Sequence, residues 1–204
     1  MLNHYGSQWV RTAPRAILED TMTTTLPAGL VAGTYTVDPS HSEVGFTARH
    51  AMVTKVRGSF SDVSGTVVLD EDASLISVTA EVAVASVDTR SADRDGHLRS
   101  ADFFDVEQFP TMTFRSTSVA PTGDGWTVDG ELSLHGTTKP VTLDVTAEGV
   151  ATDPFGNSRA GFSAETEINR KDFGLTWNAA LETGGVLVSE KIKIALDISA
   201  IKQA

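Results

Sequence analysis

The sequence predicts an all-β protein, an antiparallel, lipocalin-like β-barrel of about eight strands with one short helix near residues 91-101. Two observations support this fold class. Apolar and polar residues alternate along many short segments, as in strands that are buried on one face only. Turn-forming residues separate these segments, and a chain of 204 residues suits one such domain. We assign residues 33-204 to the barrel and residues 1-32, which lack periodicity, to a loosely ordered N-terminal arm.

The alternation is clearest in three segments. In residues 126–135, Trp126 and Leu132 fall on one face of the predicted strand, and the polar residues fall on the other. Residues 141–147 repeat the pattern, and residues 136–140 between these two segments are predicted to form a hairpin turn. Residues 192–199 form the third segment. Weaker alternation predicts further strands within residues 35–38, 43–50, 55–70, 77–87, 111–119 and 158–169.

The predicted helix lies where the alternation stops, at residues 91–101. Ser91 is a suitable N-cap, and Asp93 would lie in the first turn, where the helix dipole favours negative charge. Gly96 weakens the helix by about 1 kcal/mol relative to alanine. The segment is therefore predicted to form a short helix of modest intrinsic stability.

Composition limits the classes of partner. The net charge is −11, with 27 acidic and 16 basic residues, which argues against nucleic acid because phosphate binding needs clustered cations. No run approaches the ~18 apolar residues of a membrane-spanning helix, so we expect no stable membrane insertion. The chain has no cysteine, and its N-terminus does not resemble a secretory signal, so we expect a soluble cytoplasmic protein. A homodimer is left open.

Catalysis has no motif to support it, so we predict that the protein is not an enzyme. His41 and His50 lie an odd number of residues apart, which places them on opposite faces of a strand and disfavours a metal site. His50 shares the parity of Phe46, so it is predicted to face the interior. It is then either a hydrogen-bonded core residue or a polar contact for a bound molecule, and an enzyme with His50 as general base is the alternative.

Two polar clusters are candidates for contact with a charged group. In the helix, Arg94 and His97 would share a basic face with Arg90, suited to an anionic head group such as a phosphate. The alternative is a solvated face that nearby aspartates neutralise. Residues 169–174, at the end of a strand, form the second cluster, which either contacts a ligand or forms a turn in which Arg170 pairs with Asp172.

The inward faces are almost entirely apolar. A barrel of about eight strands is either filled by its side chains or holds a small ligand, and alternation cannot distinguish the two. The residues assigned to the inward faces are Phe46, Phe60, Val82, Val84, Phe114, Trp126, Leu132, Phe162 and Ile194.

Several motifs together resemble the YceI-like family of polyisoprenoid-binding proteins, which have a lipocalin-like barrel. They include the segment from Thr36 to Phe46, which contains Asp38-Pro39-Ser40-His41-Ser42, and His50 a few residues later. The other matching segments are residues 87–89, 94–100, 102–105, 109–110, 130–136, 138–141 and 168–174. In this order, they cover the chain from about residue 33 to residue 200.

The resemblance implies binding, transport or storage of an isoprenoid lipid, such as a polyprenyl phosphate or an isoprenoid quinone, or of a similar long-chain amphiphile. The head group would lie near one end of an apolar pore, and no cofactor is expected besides the bound amphiphile. Many bacterial members are exported, whereas this sequence shows no leader. An interaction or stress-response module with a solid core stays a further alternative. The polar residues carried over from the family motifs are His50, Arg94, His97, Arg170 and Asp172, and Phe173 in the last matching segment is also predicted to contact the ligand.

Overall fold

The computed structural model describes residues 29–70, 75–123, 125–182 and 184–204. Antiparallel strands make up most of these ranges, and one α-helix, α1, spans Ala92–Arg99. The strands are β1 (Gly33–Val37), β2 (Glu43–His50), β3 (Thr54–Phe60), β4 (Val63–Leu69), β5 (Leu75–Ala83), β6 (Val87–Asp88), β7 (Thr111–Pro121), β8 (Gly125–Leu134), β9 (Thr137–Thr152), β10 (Ser158–Asn169) and β11 (Lys191–Lys202).

Eight of these strands close into a ring in the order β1-β4-β5-β7-β8-β9-β10-β11, and the pairing of β1 with β11 completes it. Closure leaves no unpaired edge in the ring, which is how small antiparallel barrels avoid edge-to-edge association. The predicted fold class, a closed antiparallel barrel of about eight strands with one helix, is confirmed.

Strand β11 has two neighbours on the same side. Its C-terminal part pairs with β1, for example Ala200 with Val37, and its N-terminal part pairs with β2, for example Ile194 with Phe46. From β2 the sheet continues through β3 to the short strand β6. The barrel wall therefore changes from β1 to the β2–β3 hairpin along the length of β11.

The predicted strand over residues 55–70 is two strands, which separate at Ser61 and Asp62. The carbonyl of Asp62 accepts a hydrogen bond from the amide of Ala83 at 2.9 Å. Buried positions change parity across the break, from Phe60 to Val63. This change is required because β3 pairs with β2 and β6, whereas β4 pairs with β1 and β5.

The hairpin between β8 and β9 is tighter than the sequence suggested. Only His135 and Gly136 form the turn, and residues 137–140 already belong to β9, so the predicted turn at 136–140 is wrong in its extent. Both turn residues have positive φ, 50° and 71°, which matches the twist that two-residue hairpins require. A side chain at Gly136 would also contact the ring of Phe109, at 2.6 Å.

The predicted helix is confirmed over Ala92–Arg99, with Ser91 at the N-cap position. Asp95 is buried and accepts hydrogen bonds from the amide and hydroxyl of Thr89, which fixes the helix against the chain that leaves β6. Within the described ranges, no helix is long and apolar enough to cross a bilayer.

The core has two parts. One lies at the end of the barrel formed by β1 and the start of β8, where Tyr35, Leu69 and Trp126 are almost fully buried. Leu30 packs into it, so the last residues assigned to the N-terminal arm, 29–32, join the barrel, whereas residues 1–28 lie outside the described residues. We call this part the closed end. The second part surrounds Phe60, Val82 and Phe173 at the opposite end.

Candidate ligand-binding site

A cavity of about 230 Å³ lies inside the barrel. Its wall is built by side chains from most of the ring strands, from β2 and β3, and from the chain around α1. Seven residues that the sequence assigned to the inward faces line it, namely Phe46, Phe60, Val82, Phe114, Leu132, Phe162 and Ile194. The side chains of the described residues therefore do not fill the interior completely.

The cavity ends at the closed end, because Tyr35, Leu69 and Trp126 fill the barrel there and do not line the cavity. Trp126 and Phe162 lie with ring centroids 6.3 Å apart, and Phe162 forms the inner boundary. The opposite end is bordered by the turn that contains Arg170, by the described residues of the segment that follows this turn, 175–182 and 184–190, and by the β2–β3 turn. We call these three segments the rim.

Arg170 is the one charged side chain among the described residues that line the cavity. It is 3 % exposed. Its Nε donates to the carbonyl of Ser189 at 2.9 Å, its Nη1 to the carbonyl of Leu175 at 2.6 Å, and its Nη2 to the carbonyl of Val188 at 3.5 Å. Burial lowers the pKa of the Arg170 guanidinium from its ordinary value, but an arginine stays protonated at physiological pH.

Arg170 has no ion pair with a carboxylate in the described part of the chain. The charge of Glu190 raises the pKa of Arg170 and so opposes the effect of burial, but the Glu190 carboxylate is itself paired with Lys171. The predicted pair of Arg170 with Asp172 is therefore wrong, because the guanidinium turns inward to three backbone carbonyls while Asp172 is exposed. Buried charges are normally paired, so this arrangement leaves a net positive charge at one end of an apolar cavity.

The local sequence explains how Arg170 reaches this position. A short 3-10 turn, Arg170–Phe173, follows β10, and the Asn169 side chain caps it by accepting from the amide of Lys171. Gly174 ends the turn with φ of 78°, a conformation that glycine adopts without strain. The turn that the sequence offered as an alternative to ligand contact is present, and it orients Arg170 toward the cavity.

Other predicted site residues lie away from the cavity wall. Val84, Trp126 and Phe173 are buried in the core around it. Asp172 borders a shallow groove on the outer surface, between β9 and β10. These four residues therefore do not touch a molecule in the cavity as the structure stands.

His50 is exposed, and the prediction that it faces the interior is wrong. Alternation predicts the correct face of β2, but it does not report where along the strand the cavity ends. His50 is the last residue of β2 and lies at the rim, where it pairs with Val188. The last residue of inward parity on β2 to line the cavity is Ala48. The imidazole is therefore outside the cavity, where it cannot act as a base on a molecule within.

The basic side chains that the sequence singled out in α1 are bound to neighbouring protein groups. Arg94 donates from Nε to the hydroxyl of Thr89 at 2.7 Å and from Nη2 to the Thr89 carbonyl at 2.8 Å. His97 lies 2.9 Å from a carboxylate oxygen of Asp102 and packs edge-on against Trp177, with centroids 4.7 Å apart. Neither lines the cavity, so these residues fasten the helix to the loops beside it.

Several lining residues were missed because they lie outside regular strands. Leu98 belongs to the helix, Phe103 and Phe104 follow it, and Leu175 and Val188 belong to the rim. Phe103 also packs against Trp177, with ring centroids 5.1 Å apart. The apolar pair 103–104 after the helix was the available signal, but a period of two does not apply to such segments.

Residues 35–200 match the family model of the YceI-like domain, which covers most of the chain. The chain belongs to the YceI family. Among curated YceI proteins, that of Salmonella newport is 39 % identical over 176 residues, which cover 85 % of this chain and 89 % of the relative. The YceI protein of Salmonella arizonae shows the same identity and coverage.

Solved structures of similar fold agree with this YceI-family membership. BcnA of Burkholderia cenocepacia has a TM-score of 0.67 at 26 % identity and covers 80 % of this chain and 98 % of its own. A YceI protein of Campylobacter jejuni has a TM-score of 0.66 at 28 % identity, with 76 % and 90 % covered. A polyisoprenoid binding domain of Saccharophagus degradans has a TM-score of 0.63 at 16 % identity, covers 83 % of this chain and 98 % of its own, and shares the fold.

Proposed function

We propose that this YceI-family protein binds an amphiphile with a single apolar chain and an anionic head group, such as a polyprenyl phosphate, for transport or storage. The observation that carries the proposal is Arg170, a buried cation that pairs with no carboxylate of the described residues and lies at one end of an otherwise apolar cavity. The apolar chain would fill the cavity, and the head group would contact Arg170 from the rim. The fold shared with a polyisoprenoid binding domain supports this class of ligand.

The guanidinium has donor capacity for such a head group. Its Nη2 makes the longest of the three contacts, 3.5 Å to the Val188 carbonyl, and is the least committed nitrogen. An anion at Nη2 would offset the desolvation of the charge and form a charge-assisted hydrogen bond. A neutral head group such as a quinone would accept the hydrogen bond without neutralising the charge, so we favour an acidic ligand.

The cavity volume favours a narrow ligand. About 230 Å³ is below the ~300–1,000 Å³ that is usual for pockets binding drug-sized molecules. A single short isoprenoid or acyl chain fits such a space better than a bulky ring system. Lipid extraction of freshly purified protein, followed by mass spectrometry, would identify the bound species, and recovery of no amphiphile from any preparation would count against the proposal.

The role of Arg170 is tested with farnesyl phosphate and farnesol, which share a chain and differ in head-group charge. The native protein should bind farnesyl phosphate more tightly, and Arg170→Met should reduce that preference by about tenfold or more, because a hydrogen bond to a charged group contributes ~1.5–3 kcal/mol. Arg170→Lys should retain part of it. Arg115→Met, on the exposed face of β7, is the matched control.

Since Arg170 also holds the rim, a second variant keeps the test independent of that structural role. Ala164 lines the cavity, and Ala164→Leu should fill part of it and weaken both probes equally. Equal affinity of the native protein for farnesyl phosphate and farnesol would contradict the proposed head group. Unchanged binding of both probes by Ala164→Leu would contradict the proposed cavity.

A further inference from the structure

The β2–β3 turn carries two adjacent exposed apolar side chains at the rim. Met52 is 55 % exposed and Val53 is 78 % exposed. The other exposed large apolar side chains among the described residues, Val31 and Phe155, lie singly elsewhere on the surface. Isolated exposed apolar residues are ordinary, whereas a pair at the tip of a projecting hairpin forms a small apolar patch.

The backbone of this turn is strained by its sequence. Ala51 has φ of 49° and Met52 has φ of 58°, and the amide of Val53 closes the turn on the carbonyl of His50 at 3.0 Å. Turns with positive φ at two successive residues favour glycine, asparagine and aspartate. The chain therefore has a methionine at a position where a small polar residue would cost less backbone strain. Packing within the protein does not offset this strain, because the Met52 side chain is exposed.

Cations flank the apolar tip. Arg49 and Lys55 lie directly opposite each other on the two strands, and Arg57 follows on the same face. All three are exposed, and none takes part in the ion pairs of the described chain. Like charges opposite each other destabilise a hairpin, and here they concentrate positive charge on a protein with a net charge of −11.

The tip is joined directly to the cavity. Ala48 lines the cavity, and the next residue, Arg49, accepts a hydrogen bond at its carbonyl from the amide of Ser189 at 3.0 Å. The carbonyl of Ser189 accepts in turn from Nε of Arg170 at 2.9 Å. The amide of Ala51 also donates to the carbonyl of Leu187 at 2.7 Å. The exposed tip and the charged end of the cavity therefore belong to one hydrogen-bonded unit.

We propose that the β2–β3 turn is a membrane-docking site that places the rim on a bilayer containing anionic lipids. Met52 and Val53 enter the boundary between head groups and acyl chains, and Arg49, Lys55 and Arg57 contact anionic head groups. Docking in this orientation brings the cavity end that holds Arg170 to the bilayer surface. This goes beyond binding in the cavity, because the docking surface and the cavity use different side chains.

The test is sedimentation with vesicles of phosphatidylcholine alone and of phosphatidylcholine with phosphatidylglycerol. The full chain should bind the mixed vesicles at least about tenfold more tightly than the neutral ones. Met52→Ser with Val53→Ser should weaken that binding by about tenfold or more, from the lost apolar contact. Arg49→Gln with Lys55→Gln should do the same and remove the preference for phosphatidylglycerol.

Each double variant has a matched control. Phe155→Ser removes an even more exposed apolar side chain from the β9–β10 turn. Arg115→Gln with Lys139→Gln removes one arginine and one lysine from other exposed positions. Neither control should change vesicle binding by more than about twofold. The proposal is overturned if the native chain shows no preference for anionic vesicles, or if the controls lose as much binding as the tip variants. In the first case, an acidic protein would be the remaining partner for the cations.

Failure of docking is distinguishable from failure of the proposed cargo. Farnesyl phosphate binding measured without vesicles reports on the cavity. The two tip variants should retain it within about twofold, because the replaced side chains are exposed and do not line the cavity, and the turn contacts the rest of the rim through its backbone. Vesicle binding by the tip variants equal to that of the native chain overturns the docking site whatever the cargo result.

Discussion

Arg170 and Asp38 are two partly or fully buried charges with opposite surroundings. Among the described residues, Arg170 has only neutral carbonyl partners. Asp38 accepts hydrogen bonds from Arg159 at 2.6 Å, His41 at 2.8 Å and the amide of Ser40 at 3.0 Å. Arg159 also binds Asp153 at 2.8 Å, which joins the end of β1 to the β9–β10 turn. The Arg170 guanidinium is therefore available for a charged partner, whereas the Asp38 carboxylate already has charged and hydrogen-bonding partners.

Asp38 should make stability depend on pH in the acid range. Its hydrogen bonds to Arg159 and His41 lower its pKa from 3.8 to about 2. A carboxylate that ionises more readily in the folded state stabilises the protein above its unfolded pKa, and this contribution is lost as pH falls from about 4 to about 2. Asp38→Asn should flatten the fall in melting temperature over that window. Asp62→Asn, at an exposed position, should leave it unchanged.

At the scale of elements, glycines have opposite roles in α1 and in β8. A side chain added at Gly96, in the exposed middle of α1, would meet no atom within 4 Å. One added at Gly130 in β8 would overlap the ring of Phe114 and lie 2.6 Å from the carbonyl oxygen of Arg115. A side chain therefore fits at position 96 of α1, whereas one at position 130 of β8 would displace its neighbours.

Two alanine substitutions should separate these roles. Gly96→Ala should raise the free energy of unfolding by about 1 kcal/mol, since alanine is the better helix former. Gly130→Ala should lower it by about 1–3 kcal/mol, because the ring of Phe114, which lines the cavity, must move. Denaturant unfolding measures both, and stabilisation by Gly130→Ala would show that the β7–β8 contact is looser than described.

Alternation predicted most ring strands and much of the cavity wall, because it reports which side of a strand faces the core. It does not report how far a strand runs, which is why His50 was wrongly placed inside the barrel. The parity change from Phe60 to Val63 marked the division of β3 from β4, but only the pairing partners show why it is needed. The carbonyls that hold Arg170 belong to Leu175, Val188 and Ser189, which lie outside the named strands and carry no periodic signal.

At the scale of the whole molecule, the barrel combines a well-filled closed end with an incompletely filled interior. Lining atoms of a cavity lose part of the packing energy that a filled core provides. A chain that occupies the cavity should therefore stabilise the folded barrel as a unit, because the wall draws on strands from all around the ring.

Bound ligand should raise the melting temperature. At about 100 times its dissociation constant, a ligand that binds only the folded state adds about 2.7 kcal/mol, or about 5–10 °C for a domain of this size. Farnesyl phosphate should produce this shift in the native protein and a smaller one in Ala164→Leu. A melting temperature that does not respond to any acidic isoprenoid would contradict ligand binding in the cavity.

The closed end also gives the cavity a fixed depth. A chain that enters past the rim stops where Tyr35 and Trp126 fill the barrel, so its length decides how far its head group lies from Arg170. For the proposed ligand, a chain that is too short leaves apolar volume empty, and one that is too long holds its head group beyond reach of the guanidinium. The barrel would then act as a ruler, with affinity highest at one chain length instead of rising with every added carbon.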